Sequence, residues 1–335
     1  MKLDGFISEQ RPQLSVVIPV YNERAGLNEL LRRVEPVCRR EFGSSYEIIL
    51  VNDGSTDLSW PIISKAVDAS PNVIGINLAR NYGHQLALSA GLQNCRGERV
   101  LILDADLQDP PELLSEMLAK MDEGYDVVYG QRVRRHGETA FKKTSSNLFY
   151  RILGTLIDVP IPRDTGDFRL MSRRVVECLN AMPERYRFVR GMVGWIGFAQ
   201  IAFPYERDAR FAGQTHYPLR KMIAFAVDAV TSFSIVPLRF ASHLGILFGL
   251  MGLLALSWVG FAWLSGGTVT GWTSLAGLIL ILGSVQLLVL GVFGEYLGRM
   301  YMESNQRPLF VIDEIRTRPA AQVGNDAKAS FEQIR

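Results

Sequence analysis

The sequence predicts an α/β domain built on a mostly parallel sheet, followed by a hairpin of two membrane-spanning helices. Three observations predict it. Short apolar runs alternate with helically spaced ones from Leu14 to Gly130, the pattern of a parallel sheet covered on both faces. No Asp, Glu, Lys or Arg occurs between Phe240 and Gly294, so the 36 basic and 34 acidic residues all lie outside that stretch. Inside it, two segments reach the roughly 20 apolar residues that a helix needs to cross a bilayer.

Leu14–Val20 (LSVVIPV) reads as a buried strand. Residues 27–40 have helical spacing, with Leu27, Leu30, Leu31 and Val34 on one face. Tyr46–Asn52 (YEIILVN) is a second strand, followed by the capping cluster Asp53-Gly54-Ser55-Thr56-Asp57. Val73–Leu78 is a third strand, residues 85–94 a helix, and residues 99–104 (RVLILD) a fourth strand. Residues 111–123 form a helix whose leading prolines suit a first turn, and residues 126–130 (DVVYG) a fifth strand.

Ligands of such sheets bind beyond the carboxyl ends of the strands. That rule singles out Pro19-Val20-Tyr21-Asn22-Glu23, Asn52-Asp53-Gly54 and Asp104-Ala105-Asp106-Leu107-Gln108-Asp109. Four carboxylates, Glu23, Asp53, Asp104 and Asp106, are thereby expected on one rim. A hard divalent cation with oxygen ligands would relieve their repulsion. With 16 Asp in 335 residues, roughly one Asp-x-Asp arises by chance, so its place at a strand end carries the argument. Asp109 reads as the cap of the following helix.

The spans are residues 244–264 (LGILFGLMGLLALSWVGFAWL) and 272–293 (WTSLAGLILILGSVQLLVLGVF), joined by the turn-forming SGGTVTG. Neither has the polar face of a soluble helix. Arg220, Lys221 and Arg239 precede the pair and Arg299, Arg307, Arg316 and Arg318 follow it, whereas the loop between is uncharged. The positive-inside rule then puts both ends in the cytoplasm. The first apolar run follows Asp4 and Glu9 and is too short for a signal peptide, so about 235 residues are expected in the cytoplasm ahead of the anchor. Residues 219–236 set Met222, Ile223, Phe225, Ala226 and Val230 against Arg220, Lys221 and Asp228. That pattern suits a helix in the membrane interface or one packed on the soluble domain. Gln286, mid-span, can bond across helices or to its own backbone. The division expected is a domain of residues 1–218, an interfacial region 219–239, a hairpin 240–298 and a cytoplasmic tail 299–335.

A net charge of +2 argues against a nucleic-acid binder. The 48% hydrophobic and 21% charged composition excludes intrinsic disorder. Cys38, Cys95 and Cys178 are far apart in the chain and odd in number, which excludes a Cys-spaced zinc site and suits a reducing compartment.

PVYNE, VNDGSTD, NYGHQLALSAG and DADLQDPPE, in this order and spacing, resemble the nucleotide-sugar domain of the family 2 glycosyltransferases, which have the GT-A fold. TGDFRLMSR (165–173), RFAGQTHY (210–217) and VQLLVLGVFGEYLGRMY (285–301) resemble the polyprenyl-phosphate glycosyltransferases, relatives of the dolichol-phosphate mannose synthases. Two spans after the catalytic domain make the bactoprenol (undecaprenyl-phosphate) glucosyltransferases the nearest likeness, over residues 14–311.

The resemblance implies inverting transfer of one hexose, glucose from UDP-glucose, to undecaprenyl phosphate on the cytoplasmic face of the inner membrane, by a homo-oligomer, a tetramer; the alternative donors are UDP-N-acetylglucosamine, UDP-galactose, GDP-mannose and UDP-formyl-aminoarabinose. Pro19, Tyr21, Glu23 and Asp53 would frame the nucleoside, Asp53 bonding the uracil edge; read by itself, Asp53 can equally cap a helix. Asp104 would sit near the sugar and ribose, and Asp106, Gln108 and Asp104 would hold Mg²⁺ or Mn²⁺. Asp167 matches the candidate base, although it can instead orient Arg169 or the acceptor. Arg132, Arg169 and Arg210 would clamp the phosphates, since a planar guanidinium grips phosphate oxygens. His216 stands where many relatives have Lys, which puts a phosphate role there in doubt. Residues 80–90 would pack beside the donor, with His84 structural. A processive polysaccharide synthase would need several more spans and a Gln-x-x-Arg-Trp segment, and neither occurs. A non-catalytic sugar-nucleotide sensor is the remaining rival, and turnover would exclude it.

Overall fold

The computed structural model describes residues 11–132, 165–206, 236–265 and 271–318. They fall into two units. The first carries the sheet and includes residues from 308 onward; the second holds the apolar helices.

Strands β1 (Leu14–Val20) and β2 (Tyr46–Asn52) are buried at every residue, as expected of central strands with both faces covered. They pair in parallel with each other, β1 also with β4 (Arg99–Ile102) and β2 also with β3 (Val73–Leu78). The first three strands, and the starts and types of the other two to within a residue, follow the sequence reading; β5 runs Val127–Arg132. Alternate residues of β1 feed opposite faces. Leu14, Val16, Ile18 and Val20 join the core formed with α1 (Leu27–Phe42), α2 (Ser59–Ala69) and α4 (Leu114–Asp122).

Val17 meets α3 (His84–Asn94) on the other face. There Gly91 lets the helix lie close: a Cβ on it would stand 2.3 Å from Val17 Cγ1.

Three strands have no clear signal in the sequence. β6 (Thr165–Ser172) lies antiparallel between β4 and β5, and β7 (Gln200–Tyr205) runs parallel to β5. β6 contains Asp167, Arg169 and Gly166, so its pattern does not read as a strand, yet seven of its eight residues are buried. β8 (Ile312–Arg316) pairs antiparallel with β3. This corrects the reading of residues 299–335 as a tail alone: the chain returns from the apolar helices to complete the sheet. β8 has three charged residues in five, which disguises it in the sequence and suits an edge strand. The order is β7-β5-β6-β4-β1-β2-β3-β8 among the described residues. α5 (Arg173–Ala181) follows β6 and packs on α3 and on α6 (Val189–Ile196).

In the second unit, α7 (Val236–Leu264) and α8 (Trp272–Ser304) contact each other. At 29 and 33 residues, they are about 43 and 50 Å long, enough to cross a hydrocarbon core about 30 Å thick. Leu254, Trp258, Phe261, Leu287 and Leu290 are all more than 60% exposed. Exposed apolar surface of this extent marks a site for a membrane or another partner. The interfacial segment 219–235 lies outside the described residues.

Candidate active site

Beyond β4 the chain continues as Leu103-Asp104-Ala105-Asp106-Leu107-Gln108-Asp109. Leu103, Ala105, Leu107 and Asp109 are buried, whereas Asp104, Asp106 and Gln108 are partly exposed. Three oxygen-bearing side chains thus share the open side of one loop. Leu107 helps to set this alternation. Its side chain is locked in the core while its backbone is left-handed, with φ of 60°, a conformation uncommon for a bulky residue and costing about 1–3 kcal/mol. Asp106 Oδ1 accepts the Gln108 N–H at 3.2 Å. Asp109 takes another path, accepting the hydroxyl of Tyr205 from β7.

The four-carboxylate rim expected from the sequence does not form as one cluster. Among the described residues no three His, Cys, Asp or Glu side chains come together to hold a metal ion. The strand order gives the reason: β1 separates β2 from β4, so Asp53 and Asp104 belong to strands about 10 Å apart. Asp53 is also engaged elsewhere. It is buried, and its oxygens accept the N–H groups of Tyr82 at 2.7 Å and Gly83 at 2.9 Å. Burial raises its pKa against those two bonds. Asp53 therefore ties the end of β2 to the loop before α3. The residue that bonds the start of α2 is Asp57, which accepts the Ser59 N–H at 2.9 Å. Tyr21 is half-exposed and Pro19 buried. The Glu23 N–H donates to Ser59 Oγ at 3.1 Å, which fixes the turn after β1.

The residues of the loop after β4 nevertheless fit a divalent cation. Asp106, Gln108 and Asp104 present hard oxygen donors on one side, and Asp104 Oδ1 is buried without a hydrogen-bond partner among the described residues. Mg²⁺ is commonly held by one or two carboxylates, with substrate phosphates completing its shell.

Asp104 has a second neighbour. β4 and β6 pair as far as Ile102 opposite Arg169, and beyond that last pair Asp104 and Asp167 both lie against His84. The His84 imidazole sits between them, its Nε2 3.1 Å from Asp167 Oδ2 and 3.6 Å from Asp104 Oδ1. Asp167 is buried and accepts hydrogen bonds from Gln85 Nε2 at 3.0 Å and Arg190 Nη2 at 3.4 Å, with the Arg169 guanidinium in a longer ion pair at 3.9 Å. Burial alone would raise its pKa, but the His84 bond and the charges of Arg190 and Arg169 hold it well below the usual carboxylate range. Burial pushes Asp104 up, with the neighbouring carboxylates adding to the rise and His84 opposing it. For His84, whose side chain is 45% exposed, partial desolvation is outweighed by the Asp167 bond and the Asp104 charge, and the imidazole is raised to about 9.

Of the expected arginines, Arg132 and Arg169 are described and Arg210 lies outside the described residues, as does His216. Arg132 Nε stands 3.4 Å from the Tyr205 hydroxyl. Burial opposes its charge, but Tyr205 and Asp109 raise its pKa. Gly166 makes room for it: a Cβ there would lie 2.5 Å from Arg132 Nη2. Arg169 departs from the expectation of a phosphate clamp. Only 2% exposed, it donates to the carbonyls of Asp167 at 3.3 Å and Gly166 at 3.1 Å. Its guanidinium is spent on its own strand and on Asp167, so it braces Asp167 rather than offering itself to an acceptor.

Sequence reasoning placed residues 80–90 beside the donor and read His84 as structural, but it missed the contacts of His84 and Gln85 with Asp167 and did not single out Arg190. Gln85 links two elements, since its Oε1 accepts the Val189 N–H at the start of α6 at 2.9 Å. The signal for Arg190 was faint: one charge in the otherwise apolar helix VRGMVGWI.

Comparison with known proteins identifies the family. The family model described as "Glycosyl transferase family 2" matches residues 15–179. The chain is 45% identical over 303 residues to the uncharacterized glycosyltransferase YkcC of Bacillus subtilis strain 168, covering 90% of this chain and 94% of that protein. It is 36% identical over 305 residues to the bactoprenol glucosyl transferase of Shigella phage SfV, covering 90% and 98%. Among solved structures, mannosyl-3-phosphoglycerate synthase from Rubrobacter xylanophilus is similar at 18% identity, over 65% of this chain and 72% of that one, with a TM-score of 0.44. The match to the family model together with these nearly full-length relatives establishes that the chain belongs to glycosyltransferase family 2.

Proposed function

We propose that the protein transfers a single hexose, glucose from UDP-glucose, with inversion to undecaprenyl phosphate on the cytoplasmic face of the membrane. The observation that carries this reading is the extent of the likeness to the phage bactoprenol glucosyl transferase. It spans 98% of that relative, so its length leaves room for the apolar hairpin as well as the nucleotide-sugar domain. A lipid acceptor gives such a hairpin its purpose. The basic flanks of the apolar pair and its uncharged loop support a topology with both ends in the cytoplasm.

In this reading Pro19, Tyr21, Glu23 and the Asp53-tethered loop frame the nucleoside. Asp104, Asp106 and Gln108 would hold Mg²⁺ or Mn²⁺. Such an ion would neutralise charge gathering on the departing diphosphate. Arg132, with Arg210, would grip phosphate oxygens. The acceptor is a phosphate monoester whose second pKa is about 6, so at neutral pH it is already mostly dianionic. It attacks the anomeric carbon directly, and no strong base is needed. Asp167, saturated with donors and held ionised, suits alignment of the cations around it better than proton removal.

The test is UDP release by the purified protein in detergent with undecaprenyl phosphate, Mg²⁺ or Mn²⁺, and an EDTA control. UDP-glucose would be compared with UDP-N-acetylglucosamine, UDP-galactose, UDP-formyl-aminoarabinose and GDP-mannose, the last scored as GDP release. Release with UDP-glucose alone, dependent on lipid and metal, is expected. Release with a different donor would keep the reaction and replace the sugar. No release with any donor would leave the sensor reading.

A further inference from the structure

Neighbouring carboxylates repel, and Asp104, two residues past the end of β4, and Asp167 of β6 both lie against His84. They are not interchangeable. Asp104 belongs to the loop that presents Asp106 and Gln108. Asp167 belongs to the strand that carries Gly166 and the packing of Arg132. A group that holds both therefore fixes the distance between the two halves of the site.

His84 is so placed. It is the first residue of α3, and the loop before it is fastened by Asp53 through Tyr82 and Gly83. Its next neighbour Gln85 joins it on Asp167 Oδ2. The imidazole is thus delivered from a third element and approaches both carboxylates through one nitrogen. Arg190 and Arg169 meet Asp167 at its other oxygen, Oδ1. Asp104 Oδ1, by contrast, faces His84 without a hydrogen-bond partner among the described residues.

We infer that His84 is a positioning residue that bridges Asp104 and Asp167 and so sets the donor-side loop against the strand of the Arg132 clamp during transfer. It acts through the two carboxylates and need not touch the sugar. This rests on the glycosyl-transfer reading above.

The test uses the full chain in detergent, with His84→Gln, Asp167→Asn and the double variant. Gln keeps a hydrogen-bond donor and removes the imidazole's reach and charge. With the active donor, His84→Gln should lower kcat about tenfold or more, because small displacements in a reacting pair are costly, while KM for the nucleotide sugar changes little. In the Asp167→Asn background the same change should cost less than about twofold, since the partner it acts through is gone. The Tm shifts of the two single variants should likewise fail to add in the double variant. Equal kcat losses in both backgrounds, with additive Tm shifts, would overturn the bridge. So would a rise in KM with kcat unchanged. If the wild type turns over no donor, the function reading falls, and the Tm cycle still decides the bridge.

Discussion

At the residue scale, the site rests on side chains that solve a local problem of charge. Asp167 is surrounded by donors, whereas Asp104 retains a buried oxygen without a hydrogen bond. Asp106 differs from both: it lies on the open side of its loop and carries none of the core. Asp106→Ala should therefore abolish UDP release while leaving Tm within about 1 °C of wild type, as surface changes usually do. More than half the wild-type turnover would remove it from the cation site. The sequence exposed Asp106 well, because its neighbours form a compact motif. It hid Arg190 and undervalued His84, because each acquires meaning only from a carboxylate on a distant strand. The resemblance offered Arg169 as a phosphate clamp, with its pairing to Asp167 as the alternative, and burial commits that guanidinium to Asp167 and Gly166.

At the element scale, the parallel strands announce themselves by apolar runs, and helices α1, α3 and α4 by spacing. β6 and β8 do not. A strand with buried Asp and Arg looks polar in sequence, and a short charged edge strand looks like a tail. The contact of α3 with β1 shows how little room the layers leave. Gly91→Ala would force a methyl to within 2.3 Å of Val17 Cγ1. Overpacking of this kind should cost about 1–3 kcal/mol, measurable as a lower denaturation midpoint. Displacement of α3 would also move His84 at the start of the same helix, so turnover should fall with stability. An unchanged midpoint would mean that the helix shifts without resistance.

At the scale of the whole molecule, the hairpin is an excursion from one sheet. The chain leaves after β7, runs through α7 and α8, and re-enters as β8 beside β3. Arg316 Nη2 pairs with Asp68 of α2 at 2.9 Å, and Asn77 Nδ2 donates to Asp313 at 3.2 Å. The proposed two-span topology is open to a direct test. Alkaline phosphatase fused in the loop at residues 266–270 should be active outside the cytoplasm, and a fluorescent protein fused after residue 335 should glow inside. Phosphatase activity from a fusion at the C-terminus would contradict the two-span topology.

By itself the sequence determined the first five strands, the apolar hairpin and the motifs that place the chain in its family. Each of these is written in neighbouring residues, as a period, a length or a short word. Only the tertiary structure decided that Asp53 binds a loop instead of joining a carboxylate rim, that β8 closes the sheet, and that Asp104 and Asp167 face each other across His84. Those facts depend on strand order and register between segments distant in the chain, and local periodicity carries no information about which distant strand becomes a neighbour.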